Sequence, residues 1–126
     1  MDKKKYLNLK NKYQKGTLSN GLKYICSPNP LHNSCSIVFF MRVGSRNESP
    51  QDYGLAHFLE HMLFKGNRTY PDYRKLNQKI DLLHASTNAS TSKNYTNYYL
   101  KLPSKNLVAG LELLREMVFY SNLKTV

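Results

Sequence analysis

The sequence has no tryptophan, only two cysteines, and eight acidic side chains against nineteen lysines and arginines. Two cysteines cannot build a disulfide-dense framework or a four-thiolate zinc site. Cys26 and Cys35 are therefore expected to be reduced, half-buried thiols, with pairing across adjacent strands as the alternative. No apolar run approaches the ~20 residues that cross a bilayer, so no membrane partner is expected. The opening stretch MDKKKYLNLKNKYQKG has lysines but no arginine and no apolar core, and so resembles neither a secretory signal nor a transit peptide. The expected compartment is intracellular, cytoplasmic by default. In that setting the four Asn-x-Ser/Thr triplets, at Asn47, Asn67, Asn88 and Asn94, are coincidences of an asparagine-rich chain.

The scarcity of acids leaves a formal net charge of +11. Clustered lysine and arginine would suit a nucleic acid, because they neutralise phosphates and release counterions. Here six of the lysines crowd the first fifteen residues and the rest are scattered, with no zinc-finger, helix-turn-helix or RNA-recognition signature among them. Nucleic acid is thus the least favoured partner. The reading is a basic, flexible arm over residues 1–15, followed by one domain over residues 16–126. With 40% hydrophobic residues, that domain can close around a single core.

Asn20-Gly21 signals a turn, and Leu22–Cys26 after it reads as a strand closed by Pro28 and Pro30. Ile37–Met41, a short continuous apolar run, reads as a central strand beside it. From Asp52 to about Lys65 the pattern is helical, with Leu55, Phe58, Leu59, Met62 and Leu63 as the face expected to anchor in the core. A second helix is expected from Pro71, with Tyr73, Leu76, Ile80 and Leu83 in step. Thr87–Leu102, rich in threonine and tyrosine, reads as one or two strands. A last helix follows Ser104 as its cap, with Leu107, Leu111, Leu114 and Val118 as the buried stripe. The order β-β-α-α-β-α predicts an α+β fold, a largely antiparallel sheet with helices packed on one face.

Chemistry concentrates in His57-Phe58-Leu59-Glu60-His61. On a helix, residues 57 and 61 lie one turn apart, so their neutral imidazoles can grip one Zn²⁺. Glu60 flanks the same face, where its carboxylate can take a proton from a water that zinc has acidified and hand it to a leaving amine. The competing reading is two structural histidines that happen to fall four apart. The amphipathic helix around them favours the metal.

The flanks carry a resemblance. Residues 43–66, VGSRNESPQDYGLAHFLEHMLFKG, are similar to the signature of the pitrilysin/insulysin/processing-peptidase family of inverted zincins. SNGLKYI upstream, and Ser86-Thr87-Asn88-Ala89, Thr91 and TNYYL downstream, resemble family segments in the same order, so the similarity runs from about Gly16 to near the end. The resemblance implies the amino-terminal portion of a pitrilysin-like domain, with His57 and His61 as zinc ligands and Glu60 as general base. It further implies that Asn88 and Ala89 lie on an edge strand that pairs with an extended peptide or unfolded-protein substrate. His84-Ala85 departs from the glycine the family carries just before that strand.

The family's third zinc ligand, a glutamate, is expected beyond Val126, so no third ligand is expected within these residues. Glu112 and Glu116, the nearest acids, are expected to face solvent. The family also closes two similar halves around its substrate, which implies a second half-domain or subunit. The expected function is a zinc-dependent endopeptidase completed by residues or a partner outside this chain. The alternatives are an inactive structural or binding subunit of the same descent and, less favoured, a nucleic-acid-binding protein.

Overall fold

The protein is described by a computed structural model that covers residues 13–123. Most of the expected basic arm, residues 1–12, lies outside the described residues, while Gln14 and Lys15 already belong to a strand. The chain divides into two compact units at His32 and Asn33, inside the stretch read from sequence as one domain.

The first unit is a hairpin. Strand β1 (Gln14–Thr17) pairs antiparallel with β2 (Lys23–Cys26). Gly21, at φ +86, makes the turn in the left-handed region that side chains rarely adopt.

The second unit is a three-stranded antiparallel sheet with three helices. In chain order it contains β3 (Ser34–Met41), α1 (Leu55–Met62), α2 (Tyr73–Leu82), β4 (Ser86–Thr91), β5 (Thr96–Pro103) and α3 (Leu107–Phe119). The fold is α+β, as expected, with antiparallel sheets. The strand order is β3-β5-β4. β5 is therefore the central strand and β3 lies at an edge among the described residues, which reverses the expectation for Ile37–Met41. Among the described residues β2 pairs with β1 and β3 with β5, so β2 and β3 do not start one sheet. Cys26 stands opposite Gln14 in the first pairing and Cys35 opposite Leu102 in the second. Both are free, and Cys26 is exposed rather than half-buried.

Strand alternation sorts the sheet into two faces. Leu100, Leu102 and Tyr98 of β5 point into the core with Ile37, Phe39 and Met41 of β3 beside them, and the helices cover this face. α2 begins at Tyr73 rather than Pro71, capped by Asp72, whose carboxylate accepts a hydrogen bond from the Lys75 amide at 2.9 Å. Leu76, Ile80 and Leu83 are buried as expected, whereas Tyr73 is exposed. Ser104 does not cap α3; it opens a short 3-10 turn, Ser104–Asn106, ahead of the helix. The buried stripe of α3 is Gly110, Leu113, Leu114 and Met117, with Leu107 and Leu111 left exposed. The helix is apolar on more than one side, and Gly110 decides the rotation. A β-carbon there would come within 2.6 Å of the Leu102 side chain, so the backbone lies directly on the sheet at that point. No described helix is long and apolar enough to cross a membrane.

Candidate metal centre

The helix α1 is shorter than its pattern suggested. Pro50–Asp52 forms a separate 3-10 turn, and Gly54, at φ +93, interrupts the backbone before the helix starts at Leu55. Gly54 has no side chain to cap the free amides, and the first turn contains no acidic residue. The acceptor comes from upstream. Glu48 takes the Gly54 amide on one carboxylate oxygen at 2.9 Å and the Ala56 amide on the other at 2.8 Å.

On this helix the imidazoles of His57 and His61 are exposed and adjacent, with their Nε2 atoms 3.1 Å apart and ring centroids 4.6 Å apart. Zinc bonds imidazole nitrogen at ~2.0–2.1 Å, so two nitrogens at this separation both reach one ion at an angle of about 100°, close to tetrahedral. The pair fits a divalent metal as a two-toothed grip. Among the described residues no group of three or more histidine, cysteine, aspartate or glutamate side chains forms a metal cluster.

The anchoring face of α1 differs in part from the expectation, which Leu63 meets and Met62, half-buried, meets partly. Leu55 and Phe58 are exposed, Leu59 is largely so, and Glu60 is buried at 8% exposure together with Leu63. The element packed against α1 is β4, and it meets the helix on the side of Ala56, Glu60 and Leu63. Nothing among the described residues covers the apolar flank. Glu60 therefore points toward the sheet, and its Oε2 accepts a short hydrogen bond from the Thr91 hydroxyl at the end of β4. Tyr98 on β5 is fully buried, and its hydroxyl has no partner. Burial first, and the nearby Glu60 charge second, push the Tyr98 phenol up to about 12.

Asn88 and Ala89 lie in the middle of β4, which pairs with β5 alone among the described residues. The Ala89 amide donates to the Asn88 side-chain oxygen at 2.8 Å instead of to β5. In an antiparallel ladder the direction of backbone groups alternates, so Thr87, Ala89 and Thr91 turn theirs outward along the free edge. The side chains of the same residues face the helices. Just upstream, His84 adopts φ +49, the one left-handed non-glycine residue among those described, at the point where the resemblance led us to expect glycine.

Glu116 does not face solvent. It is 6% exposed, and its carboxylate accepts hydrogen bonds from Arg68 and Arg115, each at 3.0 Å, and from the Thr69 hydroxyl at 2.9 Å. Burial pushes its pKa up, but the Arg115 and Thr69 hydrogen bonds and the Arg68 charge outweigh burial and hold it below the usual carboxylate value. Glu112 is exposed, as expected.

Glu48, Thr91 as the Glu60 partner, and Tyr98 are absent from the sequence reading. Only Glu48 left a trace there: a helix starting at glycine, with no serine, threonine or acid to cap it, must borrow an acceptor from elsewhere.

Comparison with known proteins matches residues 23–125 to the family described as Insulinase (Peptidase family M16). The chain is 38% identical over 105 residues to an uncharacterized zinc protease of Bacillus subtilis (strain 168), an alignment covering 83% of this chain and 25% of that protein. It is 34% identical over 103 residues to human insulin-degrading enzyme, covering 82% of this chain and 10% of the relative. Its fold superimposes on the crystal structure of a protease from Helicobacter pylori with a TM-score of 0.83 and 33% identity, over 90% of this chain and 27% of that one. The chain thus spans at most about a quarter of these proteins. Fold, histidine pair and sequence similarity converge, and the chain belongs to the insulinase family of peptidases, M16.

Proposed function

We propose that this chain carries the zinc-binding helix and the substrate-pairing strand of a zinc-dependent endopeptidase. The observation that carries this reading is the His57–His61 pair, preset at 3.1 Å on a helix whose intervening Glu60 is a buried carboxylate tied to the edge strand. His57 and His61 would hold the metal through Nε2. Zinc, when bound, supplies the positive charge that acidifies water and polarises a carbonyl. Glu60 accepts the water proton on its carboxylate and returns it to the departing amine. With Oε2 engaged by Thr91, the Oε1 oxygen is the one left for that transfer.

The outward backbone groups of Thr87, Ala89 and Thr91 would take an extended peptide as an added strand. Asn88 must then release the Ala89 amide, which its side chain occupies in this structure. A third zinc ligand and a second half-domain or subunit would come from outside the described residues.

Elemental analysis of the purified complete protein tests the metal, with one zinc per site expected. Peptide cleavage by the Glu60→Gln variant tests the base, with a fall of about 10²–10⁴-fold expected. A variant that cleaves as fast as the parent sinks the catalytic reading, and a protein free of zinc sinks the metal reading.

A further inference from the structure

We propose that Glu48 is a positioning residue for the metal-binding helix, holding His57, Glu60 and His61 in register with the edge strand β4. The proposal rests on the zinc reading above. Its geometric basis is a closed ring of contacts. Both carboxylate oxygens of Glu48 cap α1, at Gly54 and Ala56. The loop that carries Glu48 is tied to the turn between β4 and β5 by three hydrogen bonds. The Ser45 amide donates to the Ser92 carbonyl and the Arg46 amide to the Lys93 carbonyl, each at 3.1 Å, and Arg46 Nη1 donates to Asn94 Oδ1 at 2.8 Å. Gly44 makes this approach possible, because a β-carbon there would run into the Ser92 carbonyl oxygen and the Lys93 backbone. The Thr91 hydroxyl on Glu60 closes the ring from the far end of the helix.

Both ends of an eight-residue helix are thus referred to one hairpin. Glycine at the N-cap leaves α1 without a cap of its own, so removing the Glu48 carboxylate frees two amides and lets the helix start fray. His57 is the next residue after Ala56, which places a metal ligand in the turn that would loosen. The negative charge of Glu48 also sits at the positive end of the helix dipole, where it favours the helical state. Glu48 makes no hydrogen bond to either histidine; its two bonds reach them through the helix backbone.

The experiment compares the full chain with its Glu48→Ala and Glu48→Gln variants by zinc affinity against a competing chelator, the visible spectrum of bound Co²⁺, and amide hydrogen exchange of the metal-free proteins. For Glu48→Ala, zinc affinity is expected to fall about 10–100-fold, the range typical for loss of a group that orients metal ligands. The Co²⁺ bands should shift, and exchange should accelerate over residues 54–61 while β3 and β5 stay protected. Glu48→Gln keeps one acceptor oxygen and should recover part of the loss. An unchanged affinity and spectrum in a folded Glu48→Ala protein overturns the proposal. Exchange rising equally through β3 and β5 also overturns it, by showing general destabilisation. Should Glu48→Ala fail to fold, Glu48→Gln answers to the same criteria. A parent chain that takes up no metal defeats the zinc reading alone, and the exchange pattern over residues 54–61 then decides whether Glu48 positions the helix.

Discussion

Glu60 and Glu116 are both buried carboxylates on helices, yet the protein treats them in opposite ways. Glu116 of α3 is enclosed by two guanidinium groups and a hydroxyl, and Arg68 is further held over the Tyr120 ring at 3.9 Å. Both carboxylate oxygens are engaged, and two cations lie against the charge. Glu60 of α1 has a single hydroxyl partner and no cation in contact among the described residues. Burying a carboxylate with no cation beside it costs free energy that a paired one is spared. The compensated carboxylate fastens the 67–70 loop to α3. The uncompensated one is the carboxylate to which we assign the general-base role.

Substitutions at the two sites are expected to separate activity from stability. The largest effect belongs to Glu60→Gln, which should reduce peptide hydrolysis by the complete protein about 10²–10⁴-fold with little change in its unfolding midpoint. Glu116→Gln should do the reverse, leaving metal uptake intact and lowering the urea midpoint at neutral pH. Because the Glu116 pKa is held below its ordinary value of 4.5 in the folded protein, its stabilisation is complete above that value and is lost as pH falls through the lowered one. The gap in urea midpoint between parent and Glu116→Gln should therefore close in acid, and a gap that persists there would contradict the assignment.

The hydroxyl partners sharpen the comparison. Thr91→Val strips Glu60 of its one hydrogen bond and should destabilise the protein by about 1–3 kcal/mol in urea denaturation. Thr69→Val leaves Glu116 both arginines and should cost less. Equal losses would mean that the two carboxylates are solvated alike.

Tyr98→Phe is the mildest change. It removes a buried hydroxyl without a partner and should shift stability by under ~1 kcal/mol at neutral pH. The Tyr98 phenol titrates near 12 in the folded chain against 10 when unfolded, so it resists unfolding fully below pH 10 and that support is lost as pH rises toward 12. The phenylalanine variant should lose less stability across that window, as read from unfolding curves at stepped alkaline pH.

Much of the architecture was legible because its signals are local. The Asn20-Gly21 turn, the Leu76–Ile80–Leu83 stripe and the threonine- and tyrosine-rich stretch that forms β4 and β5 each depend on residues a few positions apart. The errors fall where a neighbour distant in sequence decides. Ile37–Met41 reads as a central strand from its apolar run, but centrality belongs to β5, which pairs on both sides. Leu55, Phe58 and Leu59 read as the anchor of α1, yet the strand packed there meets Glu60 and Leu63. The α3 stripe is rotated from its expected position because Gly110, alone on that helix, lets the backbone rest on Leu102.

The histidine pair was set by sequence alone: a helix of 3.6 residues per turn brings residues 57 and 61 together whatever surrounds them. What Glu60, Glu48 and Glu116 do was decided by tertiary structure. Their partners lie 31 residues away at Thr91, at a helix start six and eight residues downstream, and, besides the adjacent Arg115, 47 and 48 residues back at Thr69 and Arg68. Such contacts depend on strand register and helix rotation, which are settled only when the core closes and for which no spacing along the chain is a signature.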